Sequence, residues 1–254
     1  MPPRDLPGSR GVGWSIVVPL KSWASKRDLI AKNFLFERLN ASELDQVLAL
    51  ARLQRYQARQ IVWRKGDAGN GMMAVLAGHV KLSALAASGK ELAFTIIKPG
   101  EIFGEIALLD GQERSVDATA IDTCEILFID RRDFIPFLAH HPEIAIRLMT
   151  ALCARLRRTS QQFEDSFLGL CPRLAKSLLQ LVDRYGQSGP SGVRIDIRLS
   201  QRELGALIGM SRESINKQLC LWRRQGLISV NKRIITIHDL DHFRRMANPA
   251  YAIN

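Results

Sequence analysis

Residues 200–228 read SQRELGALIGMSRESINKQLCLWRRQGLI, and the fold turns on how this stretch is parsed. Ser200, followed three residues later by Glu203, is a capping box that starts a helix whose apolar face is Leu204, Leu207 and Ile208. Gly209 supplies a flexible turn and Ser211 caps a second helix, whose buried stripe is Ile215, Leu219 and Trp222 until Gly226 stops it. Residues 230–237, VNKRIITI, read as a hairpin with Asn231 and Lys232 at its tip. The pattern is a helix-turn-helix followed by a β wing. The first turn of the second helix exposes Arg212 and Glu213, and Lys217 lies on the same side one turn later. Such a helix fits the DNA major groove, where an arginine can bridge O6 and N7 of guanine and a glutamate can accept from N4 of cytosine. Taken singly, these residues read as solvated surface charges. Together with the turn glycine and the two caps they predict DNA binding.

The charge balance points to the same region. The chain has 254 residues, 46% hydrophobic and 24% charged, which suits one large or two modest soluble domains able to bury a core without metal or disulfide staples. Its net charge of +11 favours a polyanion, either nucleic acid or an anionic membrane surface. Residues 1–145 hold 18 basic and 17 acidic side chains, and the remaining 109 hold 18 and 8, so the C-terminal part carries +10. A polyanion contact therefore belongs there, the competing reading being a solvated basic helix face. Cys124, Cys153, Cys171 and Cys220 contain no CxxC pair. That spacing disfavours a zinc knuckle, an iron-sulfur cluster or a dithiol motif, and fits reduced thiols in a cytoplasmic protein. Cys153 and Cys220 read as small core residues, and His79, His140 and His141 as ordinary core, surface or loop histidines rather than haem ligands. The apolar run at 12–20 is short and contains Pro19, so it is neither a spanning helix nor a signal peptide. No nucleophile, base and orienting trio is visible, and no enzyme activity is expected.

Upstream of the helix-turn-helix the chain changes character several times. Residues 1–32, rich in Pro, Gly and Ser and carrying +4, read as a loose extension of unknown role. Residues 34–50 have helical spacing at Leu44, Val47 and Leu48, with Asn40 or Ser42 as cap. From Gln54 to Arg132 short β-type runs alternate with glycines, the mark of an antiparallel sandwich or barrel. After Pro142 a helical period runs for about 25 residues, with Met149, Leu152, Leu156, Thr159 and Phe163 forming an a/d seam. A helix with this seam either pairs with its own copy in a parallel dimer or packs on its own domain. Pro172 marks a break, a further helix covers roughly 173–184, and GQSGPSG follows at 186–192.

Residues 103–116, FGEIALLDGQERSV, form the second chemical motif. A Gly-Glu pair opening a short helix offers backbone N–H groups to an anion, and Arg114 and Ser115 can return to grip a phosphate by guanidinium fork and hydroxyl. Glu105 would then accept from a sugar hydroxyl, the competing reading being a Glu105–Arg114 salt bridge that closes the β layer.

With FGEIALLDGQERS, ALCARLRRTSQQFEDSF and SQRELGALIGMSRESINKQL in order, the stretch 33–247 resembles the Crp/Fnr family of bacterial transcription regulators. The resemblance implies an α+β fold with a jelly-roll-like cyclic-nucleotide-binding β-roll at 33–141, a dimerisation helix and hinge at 142–171, and a winged helix-turn-helix at 172–254. It implies that Gly104 and Glu105 hold the ribose of cAMP (or cGMP), with Ile106 and Ala107 beside them, and that Arg114 and Ser115 hold the cyclic phosphate. Thr159 and Ser160 would meet the adenine edge from the two subunits. The polar Thr159 in the seam is consistent with a ligand there. Ser200, Gln201, Ser211, Arg212, Glu213, Ser214 and Lys217 would contact double-stranded DNA; Arg212, Glu213 and Lys217 resemble the readers of a TGTGA-type half-site, with lysine at 217 where the family pattern has arginine, so a related but not identical palindromic operator is expected. RNA polymerase would be a further partner, with no membrane, metal, haem or iron-sulfur cluster involved.

The chain departs from the family pattern twice. It is one residue short between Thr159 and Arg173; a loss in the hinge at 169–172 keeps the seam in register, whereas a loss within the helix gives the adenine positions to Arg158 and Thr159. Val116 and Asp117 also stand where the family has smaller residues, which sets a negative charge near the phosphate site. Three classes follow: a cAMP-responsive dimeric regulator, a regulator of the same fold with another effector or none, and a kinase- or channel-type nucleotide module without DNA function. The helix-turn-helix argues against the third.

Overall fold

The computed structural model describes residues 24–86 and 89–248. These fall into two compact units, one formed by residues up to Leu82 with Ile96–Ala151, the other by Ser83–Thr95 with the chain from Leu152 onward. The first contains α1 (Ala24–Ala31), α2 (Ala41–Leu50), β1 (Ala51–Tyr56), β2 (Ile61–Trp63) and β3 (Gly71–Ala77). It continues through β4 (Val80–Leu85), β5 (Glu91–Ile97), β6 (Ile102–Phe103), α3 (Glu105–Asp110), β7 (Asp117–Ala120), β8 (Cys124–Asp130) and α4 (Arg131–His140) to the start of α5 (Pro142–Asp165). The outer part of the β4–β5 hairpin is assigned to the second unit.

Two four-stranded sheets, ordered β1-β8-β3-β6 and β2-β7-β4-β5, make the β layer. Strand β3 explains how they are filled. It is buried from Gly71 to Leu76 because its alternating side chains feed two cores. Met72, Ala74 and Leu76 face a cluster with Leu127, Ile129, Phe134 and Ile144, where the helices pack. Met73 and Val75 face a second cluster with Trp63, Phe103, Ile126 and Phe128 between the sheets. Strand β8 runs antiparallel to β3, with Met72 opposite Ile129 and Ala74 opposite Leu127, so the two strands supply both cores in register.

The helical frame is longer than the sequence indicates. Of the expected loose extension, residues 1–23 lie outside the described residues, but Ala24–Ala31 forms α1 and Ile30 is buried in the first core. Asn40, not Ser42, caps α2, in a reciprocal box with Glu43 at 3.0 and 2.8 Å. His140 belongs to the last turn of α4 rather than to a loop, its ring nitrogen meeting Pro136 O at 2.9 Å, and His141 stacks on Phe137 at 4.2 Å. Proline at 136 hides this helix from a sequence reading, since proline inside a helix removes one ladder bond.

The second unit holds the remainder of α5, then α6 (Leu170–Tyr185), β9 (Gly186–Gly189), β10 (Gly192–Ile195), α7 (Gln201–Ile208) and α8 (Arg212–Arg224). Strands β11 (Ile228–Asn231) and β12 (Ile234–Ile237) and helix α9 (Leu240–Met246) complete it. Pro172 stands within the first turn of α6, where a missing N–H costs nothing, and the chain break comes earlier, at 166–169. The GQSGPSG stretch is not merely a linker: β9 pairs with β10 to extend the sheet β11-β12-β10-β9. Trp222, 1% exposed, meets Phe243 edge-on at 4.8 Å and ties α8 to α9. Among the described residues no helix is long and apolar enough to cross a membrane.

Candidate functional site: an anion cradle and a nucleic-acid interface

The first unit brings Gly104, Glu105 and Arg114 together. Gly104 follows β6 and is the N-cap of α3 in a left-handed conformation, φ 80°, that a side chain would strain. Space forbids a side chain as well: a Cβ here would lie 2.6 Å from Arg114 Nη1 and 3.1 Å from the Trp63 ring. Arg114 Nη1 donates to Gly104 O at 3.1 Å, and the Arg114 backbone is fixed by donating to Asp67 O at 2.8 Å and accepting from Gly66 N at 2.9 Å. Arg114 as a whole is only 4% exposed. Burial draws its pKa below the ordinary arginine value, while the negative charges of Glu105 and Asp67 push it back up. Tyr56, in the same core, has its phenol pushed up to about 12 by burial, against the pull of Arg114.

Glu105 and Ala107 are buried, Ile106 is half-exposed at 37%, and Ser115 is exposed. With six residues α3 is too short to contribute much dipole, so the positive charge of this cradle is that of Arg114. Asp117 turns away from it: Oδ1 accepts from Lys65 N at 2.8 Å along the β2–β7 edge. One member of the cradle escaped the sequence reading. Trp63 lays its ring 4.1 Å from the Arg114 guanidinium carbon and stacks on Phe103 at 5.0 Å, while its indole N–H donates to Val116 O at 2.8 Å. It stands 51 residues from Arg114 and reads in sequence as a strand residue.

Elsewhere in this unit His79 Nδ1 meets Asp122 Oδ2 at 2.8 Å, and Cys124 Sγ donates to His79 O and Asp122 O, each at 3.3 Å. Burial and Asp122 push that thiol up to about 12, so this trio is structural rather than nucleophilic.

On α5, Thr159 and Ser160 are both exposed, and Thr159 Oγ1 donates to Arg155 O at 3.1 Å. The exposed face of the helix carries Ile146 (59%), Met149 (55%), Leu156 (68%) and Phe163 (67%), continuing to Phe167 (79%) beyond its end. Cys153 and Ser160 are the exposed residues that complete a 3, 4, 3, 4 spacing with these. Two expectations change at one turn of the helix: Leu152, expected in the seam, is half-buried, and Cys153 is exposed rather than a core thiol, while Thr159 is as exposed as Ser160. Cys220, likewise expected in the core, is half-buried.

The second unit presents the helix pair as the sequence indicates. Ser200 caps α7 in a box with Glu203, accepting from Glu203 N at 3.2 Å while Ser200 N donates to Glu203 Oε2 at 2.6 Å. Gly209 makes the turn at φ 65°. Ser211 caps α8, accepting from Ser214 N at 3.1 Å. Arg212, Glu213 and Lys217 are all exposed. Backbone N–H at the helix start and the Ser211 hydroxyl hold the Glu213 carboxyl below its ordinary range, so it is an acceptor at neutral pH. Gln201 Nε2 donates to Asn216 Oδ1 at 2.9 Å, bracing the two helices on their outer side.

A groove of about 500 Å³ runs between these helices and the wing, and Arg202, Arg212, Arg223 and Arg233 line it. The hairpin tip lies one residue further along than expected. Asn231 pairs with Ile234, leaving Lys232 and Arg233 as the turn, both left-handed at φ 46° and 68°. Arg202, Arg223 and Arg233 carry no mark in the sequence as site residues, because their convergence on this groove depends on how the wing folds back.

Comparisons with known proteins find a family match for each of the two regions that hold these residues. Residues 53–141 match the family described as cyclic nucleotide-binding domain, and residues 172–246 match the Crp-like helix-turn-helix domain. The chain is 30% identical to the Thermus thermophilus cyclic AMP receptor protein over 206 residues, which is 81% of this chain and 92% of that protein. It is 29% identical to a CRP-like cAMP-activated global transcriptional regulator of Mycobacterium tuberculosis over 221 residues, 87% of this chain and 99% of that one. Among solved structures it resembles the c-di-GMP responsive global regulator CLP of Xanthomonas campestris, with a TM-score of 0.70 at 25% identity, covering 79% of this chain and all of that one.

Proposed function

Because the chain belongs to the Crp/Fnr family of transcription regulators, we propose that it is a cytoplasmic homodimer whose sequence-specific DNA binding is switched on by a cyclic nucleotide, cAMP in first place. The observation that carries the ligand half is Arg114. Arg114, 4% exposed and held by Gly104 O beside a glycine with no room for a Cβ, is a buried cation whose charge a compact phosphate would match. In this reading Glu105 takes the ribose, Ser115 joins Arg114 on the phosphate, and Thr159 and Ser160 supply base contacts. Helix α5 is unbroken to Asp165 and the chain turns only at 166–169, which supports keeping Thr159 and Ser160 in those roles.

The dimer forms along the exposed apolar seam of α5, which would set the two copies of α8 about 34 Å apart, one DNA turn. Arg212, Glu213 and Lys217 read base edges. Ser200, Gln201, Ser211, Ser214 and the wing arginines hold the backbone, and RNA polymerase is the partner through which bound protein acts on transcription. A ligand that binds the DNA-competent arrangement better shifts the population towards it.

The test is fluorescence anisotropy of a labelled palindromic duplex with TGTGA half-sites, at fixed salt, with and without saturating cAMP. The expected result is at least a tenfold tightening with cAMP, corresponding to roughly 1.4 kcal/mol of coupling. Equal affinity in both states overturns ligand control by cAMP. The likeness to CLP favours c-di-GMP as a second reading, and tightening by that ligand alone would select it.

A further inference from the structure

We propose that Trp63 is a positioning residue of the ligand cradle: its indole face holds the Arg114 guanidinium in the plane from which it can fork onto an anionic phosphate. The inference rests on the reading of Arg114 as the phosphate-binding group.

Three observations meet here. The Arg114 guanidinium carbon lies 4.1 Å from the Trp63 ring, close enough for the π face to attract a cation removed from water. Trp63 is itself held on two sides, by stacking at 5.0 Å on Phe103, the residue before Gly104, and by its N–H to Val116 O at 2.8 Å, two residues after Arg114. Gly104 completes the cage, since a Cβ there would strike both the guanidinium and the indole.

Arg114 is a long side chain in a partly desolvated place, with two carboxylates, Glu105 and Asp67, acting on its charge. Without a fixed face it is free to swing towards them and present its edge to protein rather than to ligand. The indole supplies attraction without an acceptor atom. It holds the cation yet leaves the in-plane N–H donors for a phosphate, which approaches along the edge of the guanidinium and not over its face. A carboxylate in the same position would neutralise Arg114 and compete with the ligand.

The test is calorimetric titration of cAMP into the full chain carrying tryptophan, tyrosine, phenylalanine or leucine at position 63, with thermal melts to establish that each variant is folded. Affinity should fall in the order Trp, Tyr, Phe, Leu. W63F is expected to stay within about fivefold of the native chain, and W63L to lose about tenfold or more. The native chain should also show a ligand-induced change in tryptophan emission that is missing in W63F, which would place the indole beside the bound ligand, while recovery of affinity by tyrosine or phenylalanine separates positioning from mere packing.

A folded W63L that binds like the native chain overturns the inference. So does a W63F as weak as W63L, which would assign the role to the Val116 hydrogen bond instead. If W63L does not fold, the Trp–Tyr–Phe order decides alone, and a flat or inverted order overturns the proposal. A native chain that takes up neither cAMP nor cGMP fails at an earlier point, by removing the phosphate reading of Arg114 and this inference with it.

Discussion

Arg114 shows how little of a site is carried by its motif alone. The sequence GQERS marks Arg114 and Ser115 because a Gly-Glu opening precedes them by nine or ten residues, a spacing that a single short helix can close. The structure brings Arg114 and Gly104 together through one hydrogen bond. Trp63 was not legible, since 51 residues separate it from Arg114 and only the return of β7 beside β2 makes them neighbours. Asp117 shows the reverse case. Its nearness in sequence suggested interference with a phosphate, but a strand alternates its side chains and Asp117 is spent on Lys65 N. At the DNA face the residue-scale prediction concerns Arg212, exposed in the first turn of α8. Arg212→Ala should cost roughly 1 to 3 kcal/mol on the specific site and leave non-specific affinity nearly intact, as measured by anisotropy on matched and scrambled duplexes. Equal loss on both would make it a phosphate contact.

Elements were legible in proportion to how local their signals are. The caps at Ser200 and Ser211 and the turn at Gly209 are written within a few residues, and all three stand where the sequence puts them. Helix α4 was missed because Pro136 interrupts its pattern, and α1 because its isolated period is short and its burial comes from strands far along the chain. The wing was placed one residue out, for an instructive reason. A two-residue hairpin turn of this kind needs two left-handed residues and favours Asn-Gly, and the chain instead uses Lys232 and Arg233. Left-handed backbone at non-glycine residues costs on the order of 1 kcal/mol each, so this turn stores strain beside a groove lined with arginines. The double variant K232N/R233G should therefore melt higher than the native chain. Its DNA affinity should fall on every sequence, and the slope of log K against log salt should flatten by nearly two units. A lower melting temperature would show that the turn is not strained, and an unchanged salt slope would show that the two cations do not meet phosphate.

At the scale of the molecule, the charge division is nearly neutral to residue 145 and +10 after it, so the proposed ligand would be held by local geometry and DNA by field. The join is α5. Ile144 and Leu148 bury its beginning in the first core, and beyond them it shows solvent a row of large apolar residues that a folded monomer has no reason to expose. The helical period predicts a seam but does not say which of two adjacent stripes its own domain covers, and the structure half-buries Leu152 while leaving Cys153 exposed.

If two copies pair in parallel along the exposed stripe, Cys153 faces Cys153 of the other copy near its middle. Mild oxidation should then yield a covalent dimer on a non-reducing gel, and C153S should abolish it. A native chain that stays monomeric on the gel while running as a dimer in solution would move the interface to another face.

The central claim is that a buried arginine in a β-roll makes this DNA-binding protein answer to a cyclic nucleotide. Calorimetric titration of cAMP and cGMP into the native chain and into Arg114→Leu addresses it directly. The account predicts saturable heat in the native chain with one site per copy, and a loss of roughly 10- to 100-fold in affinity when the charged hydrogen bonds of Arg114 are removed. No heat with either ligand, or binding that Arg114→Leu leaves unchanged, would contradict it.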